Sequence, residues 1–394
     1  MYNCHTHVFN MTCAPENFMA QYMGKVFGPL IQKILRFKVG RIIILGIAGS
    51  NPWLERYASF VEIGTLTSQN SIFNDLVNFY PPGSKMIVLS FNMDHMGAGK
   101  SEITFEGQID QLIDIKKKFP NTCLPFLCVD PRMPFPYKDF DTMVDYAKQY
   151  MNWGFVGLKL YPSLGFYPYD PRLQDLYAYA ESAGLPLTTH CTKSGAYYMG
   201  DITHAMTDPD NFSKEPFSKS PKPPFKAKGV KNPDFCLNFL HPDNYRDVLA
   251  NFPNLKLCIA HYGGSSQVRK SGSKDSWYDL IKAIIMEKKP GTDEYAYPNV
   301  YTDISYTLAD TGIFDVLKRD INTDHLGDRI LFGTDYYMTQ QERKEKKLST
   351  EFANYAGPST FKKISVDNPE RFLTSSVYRA SKKWLWQDGA MIEC

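Results

Sequence analysis

The sequence predicts an α/β protein in which eight strand–helix repeats close into one parallel (β/α)8 barrel. Short apolar runs alternate with amphipathic segments along most of the 394 residues. Eight such repeats match the strand number of a barrel. Polar, ligand-type residues follow the ends of at least five runs, and a barrel makes those ends converge on one mouth. A doubly wound open sheet is the alternative arrangement.

The strands, in order, are Tyr2–Cys4, Lys85–Ser90, Leu124–Val129, Gly157–Leu160, Leu187–Thr189, Lys256–Ala260, Val300–Thr302 and Ile330–Phe332. Between them lie helical patterns at Phe105–Phe119, Phe140–Trp153, Pro171–Ala183, Asn244–Asn251, Trp277–Lys288 and Ile313–Asp320. Their apolar residues recur at spacings of three and four, which marks core-facing helices. Gly154, Gly184 and Pro253 punctuate helix ends.

Two stretches depart from the repeat. Residues 11–83 form an elaboration between the first two strands. It contains Ile42-Ile43-Ile44-Leu45, where periodicity does not choose between a strand and a buried helix. Residues 192–240 interrupt the fifth repeat and read as a lid-like insertion at the mouth. From Lys214 to Lys231 this insertion carries six lysines against one acid. A solvated loop is the plain reading of that run, and a cationic lid over an anionic substrate is the functional one. The chain, 1–394, is expected to form one barrel domain.

Composition narrows the function. A hydrophobic fraction of 43% and a charged fraction of 22% suit an ordinary globular core. The 44 basic residues balance 42 acids, leaving a net charge of +2, so no nucleic-acid partner is expected. The longest apolar stretch, Ile42 to Ala48, is too short to span a bilayer, and no membrane partner is expected. The eight cysteines include no CxxC pair and sit mostly in apolar runs such as Leu257-Cys258-Ile259. Met1-Tyr2-Asn3-Cys4-His5 lacks the basic and apolar parts of a secretory leader. A cytoplasmic, reducing location is the expectation.

His5-Thr6-His7 opens the chemistry. Residues two apart on a strand share a face, so both imidazoles can reach one ion. A pair of satisfied core histidines is the plain alternative. His190, His261 and Asp335 each end another apolar run, and His261 precedes a flexible Tyr262-Gly263-Gly264 turn. Ionisable groups left unpaired in such places are costly, so shared metal coordination is the economical explanation. Asp335 could instead cap a helix, but its spacing to a helix beginning after Met338 is poor.

His5-x-His7, Gly157-Leu158-Lys159-Leu160, His190, His261-Tyr262-Gly263-Gly264, Gly333-Thr334-Asp335 and Asn368-Pro369-Glu370-Arg371-Phe372 occur in this order. Together they resemble the amidohydrolase superfamily, in its amidohydrolase-related branch. That branch includes enzymes similar to aminocarboxymuconate semialdehyde decarboxylase. The resemblance spans nearly the whole chain. It implies a distorted TIM (β/α)8 barrel with insertions at the carboxyl-end face and a divalent metal at the strand ends. It further implies His5, His7, His190 and Asp335 as metal ligands, with His261 and Asp335 as the acid/base pair. Zinc is the first expected ion and manganese the second. A second metal is expected only if Lys159 is carbamylated. Gly-Leu-Lys-Leu-Tyr-Pro resembles the one-metal branch, where that lysine is commonly unmodified. Lys159 would then bind a substrate carboxylate or pair with an acid such as Asp130.

Position supplies further candidates. Arg132 follows the third strand, and its planar fork suits a substrate carboxylate or a structural ion pair. His241, before Pro242, stands on the mouth side to touch substrate or to cap a helix. Asp303 follows the seventh strand and is expected to orient its neighbours. Asp94 and His95 follow the second strand, while His204 and Tyr197-Tyr198 could line the site from above. His325 is expected at the surface. Gly97-Ala98-Gly99-Lys100-Ser101 lacks the leading glycine of a phosphate loop, since position 94 is Asp94. Glu342 to Lys347 reads as a solvated helix face.

The expected activity is a metal-dependent hydrolase acting on an amide, lactone or related carboxyl derivative of an acidic small molecule. Non-oxidative decarboxylation of an aromatic or unsaturated acid is the alternative, and hydration a third. A metal-binding protein without activity is the non-enzymatic reading. His261 argues against it, because holding the ion does not require it. The residues themselves do not indicate an oligomeric state; the resemblance implies a homodimer.

Overall fold

The computed structural model describes residues 1–23, 28, 32–33, 62–66, 68–207, 231–381, 384–387 and 390–393. Ile42-Ile43-Ile44-Leu45 and residues 208–230, with all but the last lysine of the cationic run, lie outside them.

Eight strands form one parallel sheet in chain order. They are β1 (Tyr2–Thr6), β2 (Lys85–Leu89), β3 (Cys123–Cys128), β4 (Gly157–Leu160), β5 (Leu187–Thr189), β6 (Leu257–Ile259), β7 (Val300–Asp303) and β8 (Ile330–Leu331). β8 is only two residues long, yet the chain beyond it closes the seam to β1. The Cys4 amide donates to Phe332 O and the Asp335 amide to His5 O, both at 2.8 Å. Thr6 and Tyr336 add a parallel bridge. The expected barrel is present, and the open sheet is excluded.

The helices that follow or flank the strands are α1 (Gln69–Val77), α2 (Phe105–Lys118), α3 (Met143–Asn152), α4 (Gln174–Ala183), α5 (Asn232–Leu240), α6 (Asn244–Asn251), α7 (Trp277–Met286), α8 (Phe314–Ile321), α9 (Glu345–Ala356) and α10 (Asn368–Leu373). α3 starts later than Phe140 because Thr142 caps it. The Thr142 hydroxyl accepts the Asp145 amide at 3.1 Å and donates to the Asp145 carboxylate at 2.7 Å. α5 lies in the insertion at 192–240 and was not expected as a helix. Nor were α1, α10 and a terminal antiparallel pair, β9 (Trp384–Gln387) with β10 (Ala390–Glu393), whereas α9 begins within the expected helix face at Glu342–Lys347.

One buried cluster draws Tyr2 and Cys4 of β1, Leu89 of β2, Phe126 of β3, Cys258 of β6 and Leu331 of β8 from the barrel wall and packs them with Phe372 of α10. Inward residues of this kind fill a small barrel as a solid core. Gly157 leaves room for it, since a Cβ there would meet the Phe126 ring at 2.4 Å. The register of β1 against β2 shifts between Asn3 and Thr6. Strict alternation sends Cys4 and His5 to opposite faces. The irregularity turns both inward: Cys4 joins the interior cluster and His5 reaches Asp303.

The run from Glu342 to Lys347 departs from expectation at one residue. Lys344, Lys346 and Lys347 are exposed, but Glu345, the first residue of α9, is fully buried. The seven described cysteines are buried and free. Among the described residues, no helix is long and apolar enough to cross a membrane.

Candidate metal centre

The carboxyl ends of the strands bring six ionisable side chains together. His5 and His7 stand at the end of β1, His190 follows β5, His261 follows β6, Asp303 ends β7 and Asp335 lies beyond β8. None is more than 6% exposed, so each polar atom needs a partner inside the protein.

Hydrogen bonds fix which nitrogen of each ring carries the proton. A carbonyl oxygen can only accept, so the ring nitrogen facing it donates. His7 Nδ1 donates to Leu89 O at 2.9 Å, His190 Nε2 to Ser194 O at 2.9 Å, and His261 Nδ1 to Ser305 O at 3.1 Å. His5 Nδ1 donates to Asp303 Oδ2 at 3.0 Å. Burial holds His7 and His190 well below the usual imidazole range and His261 down to about 3, with neighbouring histidines adding to each shift. These three rings are neutral, and their inner nitrogens are lone pairs.

Those inner nitrogens lack protein donors. His5 Nε2 is buried without a hydrogen-bond partner. His190 Nδ1 and His261 Nε2 face each other at 3.0 Å with no proton to share between them. His7 Nε2 and His5 Nε2 stand 3.4 Å and 3.6 Å from Asp335 Oδ1. Lone pairs turned inward, with their outer nitrogens tied to oxygens, are the donor arrangement a divalent cation takes. The residues therefore fit such an ion. Two triples place one ligand atom each within 4.8 Å of one another: His5–His7–Asp335 and His5–His261–Asp303. His190 belongs to neither, and its tie runs through His261.

Asp303 organises the centre from behind. Its Oδ1 accepts the backbone amides of His261 and Ser305, both at 3.0 Å, and the Ser305 hydroxyl. Burial pushes its carboxyl up, but His5, His261 and Ser305 outweigh burial and hold it well below the carboxylate range. Asp335 differs. Burial raises it to about 6 against the opposing pull of His5 and Lys159. His261, Tyr262, Tyr306 and Asp335 all adopt positive φ, between 50° and 67°. Non-glycine residues held there store about 1–3 kcal/mol each, and such strain clusters at functional sites.

The described residues enclose a cavity of about 220 Å³ beside this cluster. His7, His190, His261 and Asp335 line it, facing Phe9, Phe18, Phe91, Tyr161 and Met338 among others. Tyr161 stacks on His190 with ring centroids 4.2 Å apart and planes 11° off parallel. Its hydroxyl accepts the Ala196 amide at 3.2 Å. Tyr161 and Ser305 were not singled out from sequence. Each lies one or two residues past a strand end, and that position was the available signal.

The proposed substrate-binding residues fall elsewhere. Lys159 is fully buried, and its Nζ has no hydrogen-bond partner among the described residues. It sits 5.6 Å from the Tyr161 ring and does not line the cavity. Burial lowers its pKa, against the pull of Asp303. It does not pair with Asp130, because Arg132 holds both oxygens of that carboxylate at 2.8 and 2.6 Å. Arg132 thus follows the ion-pair reading and lines a separate cavity with His95, Arg172 and Tyr198. His241 does not line the metal-side cavity. Its Nδ1 accepts the Asp243 amide at 3.3 Å at the entry to α6, and its ring meets Trp277. His204 is exposed. His325 is half-buried rather than on the open surface, stacked on Tyr295.

Comparison with known proteins adds a family. No curated protein matches the sequence. Solved structures of similar fold include 5-carboxyvanillate decarboxylase from Sphingomonas paucimobilis, at 12% identity over 95% of this chain and 99% of that one, with a TM-score of 0.48. Another is 4-oxalomesaconate hydratase from Rhodopseudomonas palustris, at 13% identity over 97% and 98% of the chains, with a TM-score of 0.47. A third is an amidohydrolase from Burkholderia multivorans with bound zinc, at 10% identity over 83% and 95%, with a TM-score of 0.48. A family model described as amidohydrolase matches residues 94–374. That span begins after β2, so it omits His5 and His7, which the barrel returns to the same centre. It carries six of the eight strands together with His190, His261, Asp303 and Asp335, and the chain belongs to the amidohydrolase family.

Proposed function

We propose that this protein is a metal-dependent hydrolase that cleaves an amide, lactone or related carboxyl derivative of a small molecule. The observation behind this reading is the set of inward imidazole lone pairs gathered beside Asp335 at the cavity wall. In this reading His5, His7, His190 and Asp335 hold one divalent ion, with zinc the first choice and manganese the second. Bound there, the ion supplies Lewis acidity toward a carbonyl oxygen and lowers the pKa of water.

The chain's own residues do the rest. Asp335, at the edge of the cavity and within 3.6 Å of both β1 histidines, takes a proton from the attacking water. The proton taken by Asp335 ends on the departing nitrogen or oxygen, and His261, with Nδ1 kept on Ser305, has only Nε2 free to relay it. Asp303 holds His5 by its ring and His261 by its backbone. Phe9, Phe91 and Tyr161 exclude bulk water and offer flat faces to a planar carbonyl compound. The same apolar wall favours a second reading, decarboxylation, because it strips water from a carboxylate.

The test uses zinc- and manganese-loaded protein in ¹⁸O-water with lactones, amides, and aromatic or unsaturated carboxylic acids. Cleavage of the amide or lactone bond with one solvent oxygen in the new carboxyl group, and no carbon dioxide release, supports hydrolysis. Carbon dioxide release without solvent oxygen in the product overturns it in favour of decarboxylation.

A further inference from the structure

A buried hydrogen-bond network lies behind the centre, where the first and last strands of the barrel meet. The buried carboxylate of Glu345 accepts from the Tyr80 hydroxyl at 2.5 Å and from the Thr334 hydroxyl at 2.6 Å, both on Oε1. Asn3 Nδ2 in turn donates to those same two hydroxyls, at 2.8 Å and 2.7 Å. The direction of every bond follows. An amide NH2 only donates, so both hydroxyl oxygens accept from Asn3 and both hydroxyl protons are left to point at Glu345 Oε1. The Asn3 amide therefore cannot flip, and its Oδ1 is held toward the backbone.

There Oδ1 accepts two amides, His5 N in β1 at 3.3 Å and Thr334 N just past β8 at 3.1 Å. His5 carries the unpartnered inner nitrogen, and Thr334 immediately precedes Asp335. Across the same seam His5 O accepts the Asp335 amide at 2.8 Å. The oriented amide of Asn3 is thus the clip between the two segments that bring His5 and Asp335 together. Glu345 holds the NH2 side of that amide, directly at 3.3 Å and through the two hydroxyls, while the two backbone amides hold its Oδ1 side.

We infer that Glu345, acting through Tyr80, Thr334 and Asn3, is a positioning residue that sets the separation of His5 and Asp335 and hence the affinity for a divalent ion. This rests on the proposed metal-dependent reading. Without a carboxylate or amide oxygen at position 345, the two hydroxyls lose their fixed direction. Their protons can then turn toward the Asn3 NH2, where donor meets donor, and the clip loses the support of its far side.

The experiment is zinc affinity, read by competition with a chromophoric chelator on the full chain, with circular dichroism and thermal unfolding as controls. Glu345→Leu should weaken zinc binding by about 10–100-fold, the usual effect of removing a partner that orients ligands. Glu345→Gln keeps an accepting oxygen at Oε1 and should restore affinity to within a few-fold of the parent protein. Thr334→Val deletes one link and should fall between them. A folded Glu345→Leu protein that binds zinc like the parent overturns the inference. If that variant fails to fold, unchanged affinity in Thr334→Val overturns it instead. Zinc bound by the parent but indifferent to position 345 removes this inference alone, whereas no zinc uptake by the parent removes the functional reading with it.

Discussion

Gly333 passes so close to His5 that an added Cβ would stand 2.8 Å from the histidine Cβ and 3.1 Å from its backbone nitrogen. The neighbour here is the root of a side chain on a bonded strand, so it cannot swing aside. Gly333→Ala should therefore push β1 off the seam. Overpacking of this kind destabilises by about 1–3 kcal/mol. The expected result is a lower thermal midpoint together with weaker zinc retention on dialysis. An alanine variant with the parent's midpoint and zinc content would show that the seam gives way freely.

Asp303 gives a second prediction. It accepts from the His5 ring on one oxygen and from two backbone amides on the other. Asp303→Asn keeps the shape but must set an NH2 group against one of those donors. Metal affinity should fall by about 10–100-fold. Isothermal titration with zinc reads this directly, and equal affinity in the two proteins rejects the orienting role.

The metal-free protein should lose stability in acid. His7, His190 and His261 have folded pKa values lowered by burial, His261 to about 3, against an ordinary value of 6.5. The unfolded chain therefore binds more protons below pH 6.5. Stability is fully present above that pH and falls as the pH drops toward the folded values. At pH 5 this amounts to about 2 kcal/mol for His261, and His7 and His190 act in the same direction. Urea midpoints of chelator-treated protein at pH 7.5 and pH 5.0 check it, and equal midpoints would contradict neutral, buried rings.

Glu345 works in the opposite direction. Burial raises its carboxyl to about 7 from an ordinary 4.5, although Thr334 and Tyr80 pull it down. A raised carboxyl contributes stability below pH 4.5, and that contribution is lost as the pH rises through 7. Glu345→Gln carries no such charge. It should match the parent near pH 4.5 and exceed it by about 1–3 kcal/mol at pH 8.5. A variant that is less stable at pH 8.5 would mean that the ionised carboxylate is well accommodated.

How far the sequence disclosed this centre depended on the kind of signal. β4 and β5 fall on the expected residues, because a strand buried on both faces is a short apolar run bounded by punctuation. His5, His7, His190, His261 and Asp335 stood out as ionisable residues ending such runs, and the barrel brings those ends together. Glu345 did not stand out. Its neighbours are charged and exposed, and nothing local marks one member of a charged run as buried when its partners, Asn3 and Tyr80, lie more than 260 residues away. The shift in β1 was equally hidden, since a bulge is set by pairing and not by composition. Arg132 could be read either as a substrate ligand or as an ion-pair partner, and Asp130, two residues earlier, occupies its fork.

The last prediction concerns the division of labour between His261 and the remaining histidines. His261 Nε2 lies 3.0 Å from His190 Nδ1, and His261 also forms a close triple with His5 and Asp303, so geometry alone would let it bind the ion. Its backbone, however, is held independently of its ring. The His261 amide donates to Asp303, and its carbonyl accepts the Thr307 hydroxyl. Removing the imidazole should therefore leave the turn and its positive φ in place while deleting the proton carrier. His261→Asn should retain zinc close to the parent's stoichiometry and lose about 10²–10⁴-fold in turnover, the scale of a positioned acid/base group. His5→Ala, by contrast, should lose the metal and the activity together. Elemental analysis beside turnover on the same samples separates the cases. A His261→Asn protein without zinc would make His261 a ligand and shift the proton transfer to Asp335 alone.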